Sequence, residues 1–207
     1  MSSTDSYQDT GRTAQKRRTR DALIAAAREL VALGVTPTLD QVASRASISR
    51  TTAYRYFPNQ RALLAAAHPE TATRSLLPQD PPGDPRERLS IVITAFTQLV
   101  VQTEVQQRTM LRLSLQPDQI DQRSLPLRQG RGIPWIAEAL QPLHGTLSDE
   151  QLHQLALAIR SISGIEALVW LTDVAGLDRS RATHLMQWAA QALLHGAVNW
   201  APPPTMK

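Results

Sequence analysis

The stretch Ser49-Arg50-Thr51-Thr52-Ala53-Tyr54-Arg55-Tyr56-Phe57 gathers the side chains of this 207-residue chain best suited to recognition chemistry. Read as a helix at 100° per residue, it places Ala53 and Phe57 on one face, a turn apart. Arg55 falls opposite them with Thr51 and Thr52 beside it, and Tyr54 and Tyr56 fall at the two borders. Such a helix suits a DNA major groove. Arg55 and the threonines can reach base edges, and each tyrosine hydroxyl can reach a phosphate on a groove wall. Arg50, at the helix start, is placed for bases or backbone. An arginine that pairs with guanine O6 and N7 discriminates by about 1–3 kcal/mol. The same residues also describe an ordinary solvated helix with an amphipathic aromatic pair, so the elements that present them decide between the two readings.

Other chemistries find little footing. The chain has no cysteine, which excludes disulfide frameworks, thiolate nucleophiles and zinc fingers. Its histidines (His68, His144, His153, His184 and His195) include no pair one turn apart, so no metal site is expected. There is no Gly-rich phosphate loop, no Gly-x-Ser-x-Gly elbow and no carboxylate pair at metal spacing, so neither a catalytic residue nor a cofactor is expected.

Charge marks out the N-terminal third. The net charge is +4, but residues 1–61 hold ten Lys/Arg against five acids, a surplus of +5, and the remainder carries −1. That asymmetry suits one end meeting a polyanion. Lys16-Arg17-Arg18-Thr19-Arg20 reads either as a basic arm along the minor groove or adjacent phosphates, or as a solvated helix start. No apolar stretch is read as reaching the roughly 18 residues of a membrane helix. The N-terminus lacks a secretion signal pattern, and the expected setting is the cytoplasm with no membrane partner.

The elements that must position these residues are helices. Ala and Leu dominate, and no apolar/polar alternation runs long enough for a strand, so the chain is read as all-α. Residues 1–12 lack apolar periodicity and are expected to be a mobile tail. A first helix covers 14–33, with Leu23, Ile24, Ala27, Leu30 and Val31 inward and Gly34 as its stop. Thr38 with Gln41 has the form of a capping box opening a second helix. Ser47-Ile48-Ser49 makes a turn, and Ser49 caps the third helix, so 38–57 has the outline of a helix-turn-helix. Asn59 caps a fourth helix, read as ending near Leu77. Further helices are expected at 86–104, 107–115 and 134–140, and two long ones at 148–175 and 179–198. Residues 117–132 read as a loop.

The run Arg20-Asp21-Ala22-Leu23 to Leu30, then Gly34, Thr38-Leu39 to Ala46, Ser49 to Phe57 and Arg61-Ala62-Leu63-Leu64 resembles the TetR family of bacterial transcriptional regulators, in register over about 45 residues. The resemblance implies an N-terminal helix-turn-helix domain (13–58) on operator DNA and a larger helical domain (59–200) that binds a small molecule and dimerises. A disordered tail (201–207) follows. It implies base contacts for Arg50, Thr51, Thr52 and Arg55, phosphate or base contacts for Tyr54 and Tyr56, and a helix end presented to the backbone by Thr38. Two positions depart from the family pattern. Ser47 stands where the turn often carries Gly, and Gln60 stands where a Lys usually clamps a phosphate, leaving Arg61 to substitute.

Beyond about residue 65 the resemblance fades. The 148–175 helix is apolar on nearly every side, which suits burial against its own domain and against a partner. With the last helix it is read as forming a four-helix interface with a second copy; a monomeric core is the alternative. Phe96, Met110, Trp135 and Trp170 are the candidates to line an effector pocket, with Arg112 or Glu166 as polar anchor. The function expected is a ligand-responsive dimeric repressor. The rival reading is a small helical enzyme or carrier whose helix-turn-helix is incidental.

Overall fold

The computed structural model describes residues 4–67, 74–115, 132–201 and 203, with side chains from Thr13 onward. The expected 117–132 loop therefore lies outside the described residues except for Gly132, and of the 201–207 tail only Ala201 and Pro203 fall within them. Among the described residues the named elements are all helices, and the chain divides into two compact units. The first comprises residues 1–71 and 109–128, the second 72–108 and 129–207.

In the first unit, α1 (Thr4–Ala32), α2 (Leu39–Arg45), α3 (Arg50–Tyr56) and α4 (Gln60–Ala67) surround one core. Leu23, Ala27, Val42, Ala53 and Leu63 are completely enclosed there, which is why α1 repeats its apolar residues at three- and four-residue intervals. A second cluster joins Val31, Leu64 and Ala65 to Met110 and Leu113 from the last turns of α6 (Glu104–Ser114). The expected tail is corrected in part: α1 continues back to Thr4, since elongating a formed helix is far easier than starting one. The fourth helix is also shorter than expected. Its described part runs to Ala67, and Arg74 to Leu77, where it is expected to end, are not helical.

Two matching C-terminal caps shape this unit. After α1, Gly34 N–H bonds Val31 and Val35 N–H bonds Leu30, with Gly34 left-handed at φ 79°. After α2, Ser47 N–H bonds Ser44 and Ile48 N–H bonds Ala43, and here the left-handed residue is Ser47, at φ 56°. The departure noted in the sequence is thus a serine held in a glycine conformation.

The second unit packs α5 (Pro85–Gln102), α7 (Gly132–Leu140), α8 (Asp149–Ser161), α9 (Ile165–Val169) and α10 (Arg179–Asn199) around Phe96, Ile136, Leu155, Leu168 and Met186. The helix expected at 148–175 is broken. α8 stops at Ser161, the chain restarts at Gly164, and residues Trp170–Val174 form a wide π turn closed by Gly176 at φ 71°. The Arg160 side chain fills the space beside Gly164, so any Cβ there would collide with its guanidinium. Within Asp149–Val174 an 18-residue window reaches a mean hydropathy of 1.5, long and apolar enough to cross a membrane, contrary to the sequence reading. Its Leu155, Ala156, Ile159 and Leu168 are instead enclosed in the core of this unit.

Candidate nucleic-acid interface

The recognition-type residues are set by two capping arrangements. The Thr38 hydroxyl accepts the Gln41 N–H at 3.2 Å and the Gln41 side-chain Oε1 accepts the Thr38 N–H at 2.8 Å, the reciprocal box that starts α2. The Ser49 hydroxyl accepts the Thr52 N–H and donates to Thr52 Oγ1 at 2.8 Å, which starts α3 and fixes the Thr52 side chain. The inward face of α3 is locked: Ala53 is 0 % and the capping Phe57 3 % exposed. That leaves Arg50, Thr51, Tyr54 and Arg55 in solvent, with Thr52 and Tyr56 half-buried at the flanks.

The Arg55 guanidinium lies 5.8 Å from the centre of the Tyr56 ring, and Tyr56 in turn rests on the core. Stacking of this kind steadies a long side chain while its donors stay outward. Arg50 bonds Asp40 at 2.7 Å. On α1, Lys16, Arg17, Arg18 and Arg20 are exposed, and Arg20 stands 5.5 Å over the Phe57 ring, beside the end of α3. The Lys16–Arg20 stretch and the recognition-type helix therefore belong to one unit.

Gln60, at the clamp position, and Arg61, its expected substitute, each make a hydrogen bond within the first unit. The Gln60 amide donates to the Pro37 carbonyl at 2.7 Å, tying α4 to the α1–α2 loop. Arg61 donates to the Leu113 carbonyl at 2.8 Å, near the end of α6. Arg28 likewise caps α4 through the Ala67 carbonyl, and Arg45 pairs with Glu29.

Residues 23–67 match the family model described as bacterial regulatory proteins, tetR family. Residues 23–67 form a TetR-family N-terminal domain. The TetR-type head so defined contains the whole helix-turn-helix, and the matched segment closes with α4. No curated protein sequence matches the chain. Among solved structures, a TetR transcriptional regulator from Rhodococcus sp. RHA1 shares the fold. Its TM-score is 0.60 at 19% identity, covering 87% of this chain and 97% of that one. Two further structures align at a TM-score of 0.48: Thermus thermophilus FadR, a TetR-family repressor complexed with lauroyl-CoA (21% identity, 90% and 100% covered), and a SmeT–triclosan complex (15%, 92% and 100%).

Of the six residues expected to line an effector pocket, Met110 and Arg112 lie in the first unit and Phe96, Trp135, Glu166 and Trp170 in the second. Met110 belongs to the core of the first unit beside Val31, and Arg112, in the same unit, bonds the Thr36 hydroxyl. Trp170 is 58% exposed. Only Phe96, Trp135 and Glu166 are neighbours, linked by Arg160, a residue the sequence reading passed over. The Phe96 and Trp135 rings meet edge-on at 5.9 Å, Arg160 lies 5.4 Å from the Phe96 ring centre, and it pairs with Glu166 at 3.2 Å. Trp135 also spends its ring N–H on the Arg74 carbonyl. Among the described residues no cluster of three His, Asp or Glu could hold a metal ion.

Proposed function

We propose that this chain is a homodimeric transcriptional regulator, most simply a repressor, that binds operator DNA through α3 and releases it when a small molecule occupies the second unit. The observation that carries the reading is the division of α3. Ala53 and the capping Phe57 are enclosed, and Arg50, Thr51, Tyr54 and Arg55 stand in solvent within a TetR-type helix-turn-helix. Thr38, at the start of α2, would present that helix end to a phosphate. Gln60 and Arg61 would contribute by bracing the head. The protein would act in the cytoplasm as a regulator rather than an enzyme.

Dimerisation is supported by α10, where Leu185, Trp188 and Ala192 form an exposed apolar stripe at three- and four-residue spacing. Two heads reading successive half-sites must sit about 34 Å apart, one DNA turn. An effector acts by binding better to the arrangement whose spacing no longer fits. Phe96, Trp135 and the Arg160–Glu166 pair are the residues of the second unit with the mixed aromatic and polar character an effector site needs.

Fluorescence anisotropy at fixed salt tests the assignment, with a duplex from the region upstream of the protein's own coding sequence and a shuffled duplex of equal length. Tighter binding to the upstream duplex, lost in Arg55→Ala, is expected. Equal binding to both duplexes refutes sequence-specific regulation. Trp188→Lys should shift the sedimenting species from dimer to monomer.

A further inference from the structure

Asp40 is the sole acid between residues 30 and 69, and it sits on the head that is assigned to meet a polyanion. A carboxylate there repels phosphates; in the first turn of α2 it suits the helix end, and it also holds an arginine. Its Oδ2 lies 2.7 Å from Arg50 Nη2. Its Oδ1 is buried with no hydrogen-bond partner, so the carboxylate is wedged with one oxygen in the protein and the other on the arginine. Asp40 is itself fixed, in the first turn of a helix closed by the Thr38–Gln41 box.

Arg50 is the residue that profits. Its side chain is 72% exposed at the first position of α3, where an unrestrained arginine samples many rotamers. Holding it beforehand removes an ordering cost otherwise met at binding. An ion pair through one nitrogen leaves the guanidinium enough further N–H donors for a two-bond contact with a base edge. The pair is also close to neutral, which weakens the pull of Arg50 toward the nearest phosphate and favours groups that offer geometry over charge.

We propose that Asp40 is a specificity-determining positioning residue, which aims Arg50 at a base edge and keeps it off the phosphate backbone. This rests on the DNA-reading assignment above. Removing the carboxylate therefore has two effects of opposite sign: random DNA is bound more tightly, and discrimination at the base pair read by Arg50 falls.

The test is selection of the full-length protein on a randomised duplex library, followed by titration of the best and of random duplexes at several salt concentrations. In Asp40→Asn, and in Asp40→Ala, which leaves no polar group buried, preference should fall about tenfold at the base position that Arg50→Ala also loses. Binding to random duplex should strengthen, with a salt slope steeper by about one ion. In an Arg50→Ala background, Asp40→Asn should leave base preference unchanged. The proposal is overturned if Asp40→Asn and Asp40→Ala keep the preference, weaken all sequences equally, or act identically with and without Arg50. If the wild-type protein selects no sequence, the DNA-reading assignment itself fails, and the role of Asp40 with it.

Discussion

Replacing Glu104 by Gln should destabilise the second unit by about 2 kcal/mol. Glu104 is 7% exposed and accepts hydrogen bonds from Arg108 at 2.7 Å and from Arg179 at 2.5 and 3.1 Å. Arg108 also holds Asp173 at 2.6 and 2.8 Å, so the first turn of α6, the π turn and the start of α10 meet at one charge network. The full penalty of about 3–5 kcal/mol for orphaning a buried charge does not apply. Arg108 keeps Asp173, and Arg179, 58% exposed, returns to water. Gln keeps one acceptor oxygen, and its NH2 meets an arginine donor where Glu104 accepted, so one charge-assisted hydrogen bond is lost and the rest become neutral, about 2 kcal/mol in all. All four tryptophans (Trp135, Trp170, Trp188 and Trp200) belong to the second unit and all three tyrosines to the first, so tryptophan fluorescence during urea unfolding reports the affected unit alone. With a slope of about 2 kcal/mol per molar urea, the midpoint should fall by about 1 M. A fall below about 0.25 M would show that the network behaves as solvated surface charge and would refute the reasoning.

Acid should act on the same network. Burial pushes the Glu104 carboxyl up, but hydrogen bonds from Arg179 and Arg108 outweigh it and hold the group below its ordinary 4.5. Hydrogen bonds from Arg108 and then Thr172 hold Asp173 at about 2, from an ordinary 3.8. Both carboxyls thus have folded values below their unfolded ones. Their contribution is complete above about pH 4.5 and is lost as pH falls toward 2, and Glu104→Gln should flatten that decline. Ser47→Gly should stabilise the head by about 0.5–1 kcal/mol, because it relieves a left-handed serine; a lower thermal midpoint for the tyrosine signal would contradict this. Gly164→Ala should cost about 1–3 kcal/mol by forcing Arg160 from Glu166 and from the Phe96 ring; an unchanged tryptophan-detected midpoint would show that the pair yields freely. Thr38→Ala should cost the head about 1 kcal/mol by opening the capping box, with Asn at the same position recovering most of it in thermal unfolding.

The head was largely legible because its signals are local. Thr38 with Gln41, Ser49 before α3, and Gly34 after α1 each act over one helical turn, and each appears in the structure where the sequence put it. Contacts between distant residues were not legible. Nothing in Arg61 indicates the carbonyl of Leu113, 52 residues on, and nothing in Gln60 indicates Pro37. The break between α8 and α9 was hidden for a related reason. The 148–175 run keeps its apolar character throughout, and nothing in it marks the extended Gly164 that opens α9 against the Arg160 side chain. Arg160 and Glu166 stand six apart, a spacing that no helix-neighbour rule connects. Residue type alone grouped Trp170 with Phe96 and Trp135, whereas Trp170 is 58% exposed and both other rings are buried.

The small cluster of Val31, Leu64, Ala65, Met110 and Leu113 has a bearing on synthesis. The head is discontinuous along the chain: its last contributors follow the first 71 residues after an excursion through α5. A nascent chain with α1 to α4 already outside the ribosome still exposes the apolar faces of Val31, Leu64 and Ala65, and Arg61 lacks the carbonyl that anchors it. At roughly 5–20 residues per second, about two to eight seconds of elongation separate those helices from the residues that cover them. A fragment cut at residue 67 would meet the same deficit permanently. The natural excision boundary for a free-standing head is therefore not a point in the sequence, and an engineered one would need α6 spliced on by a short linker.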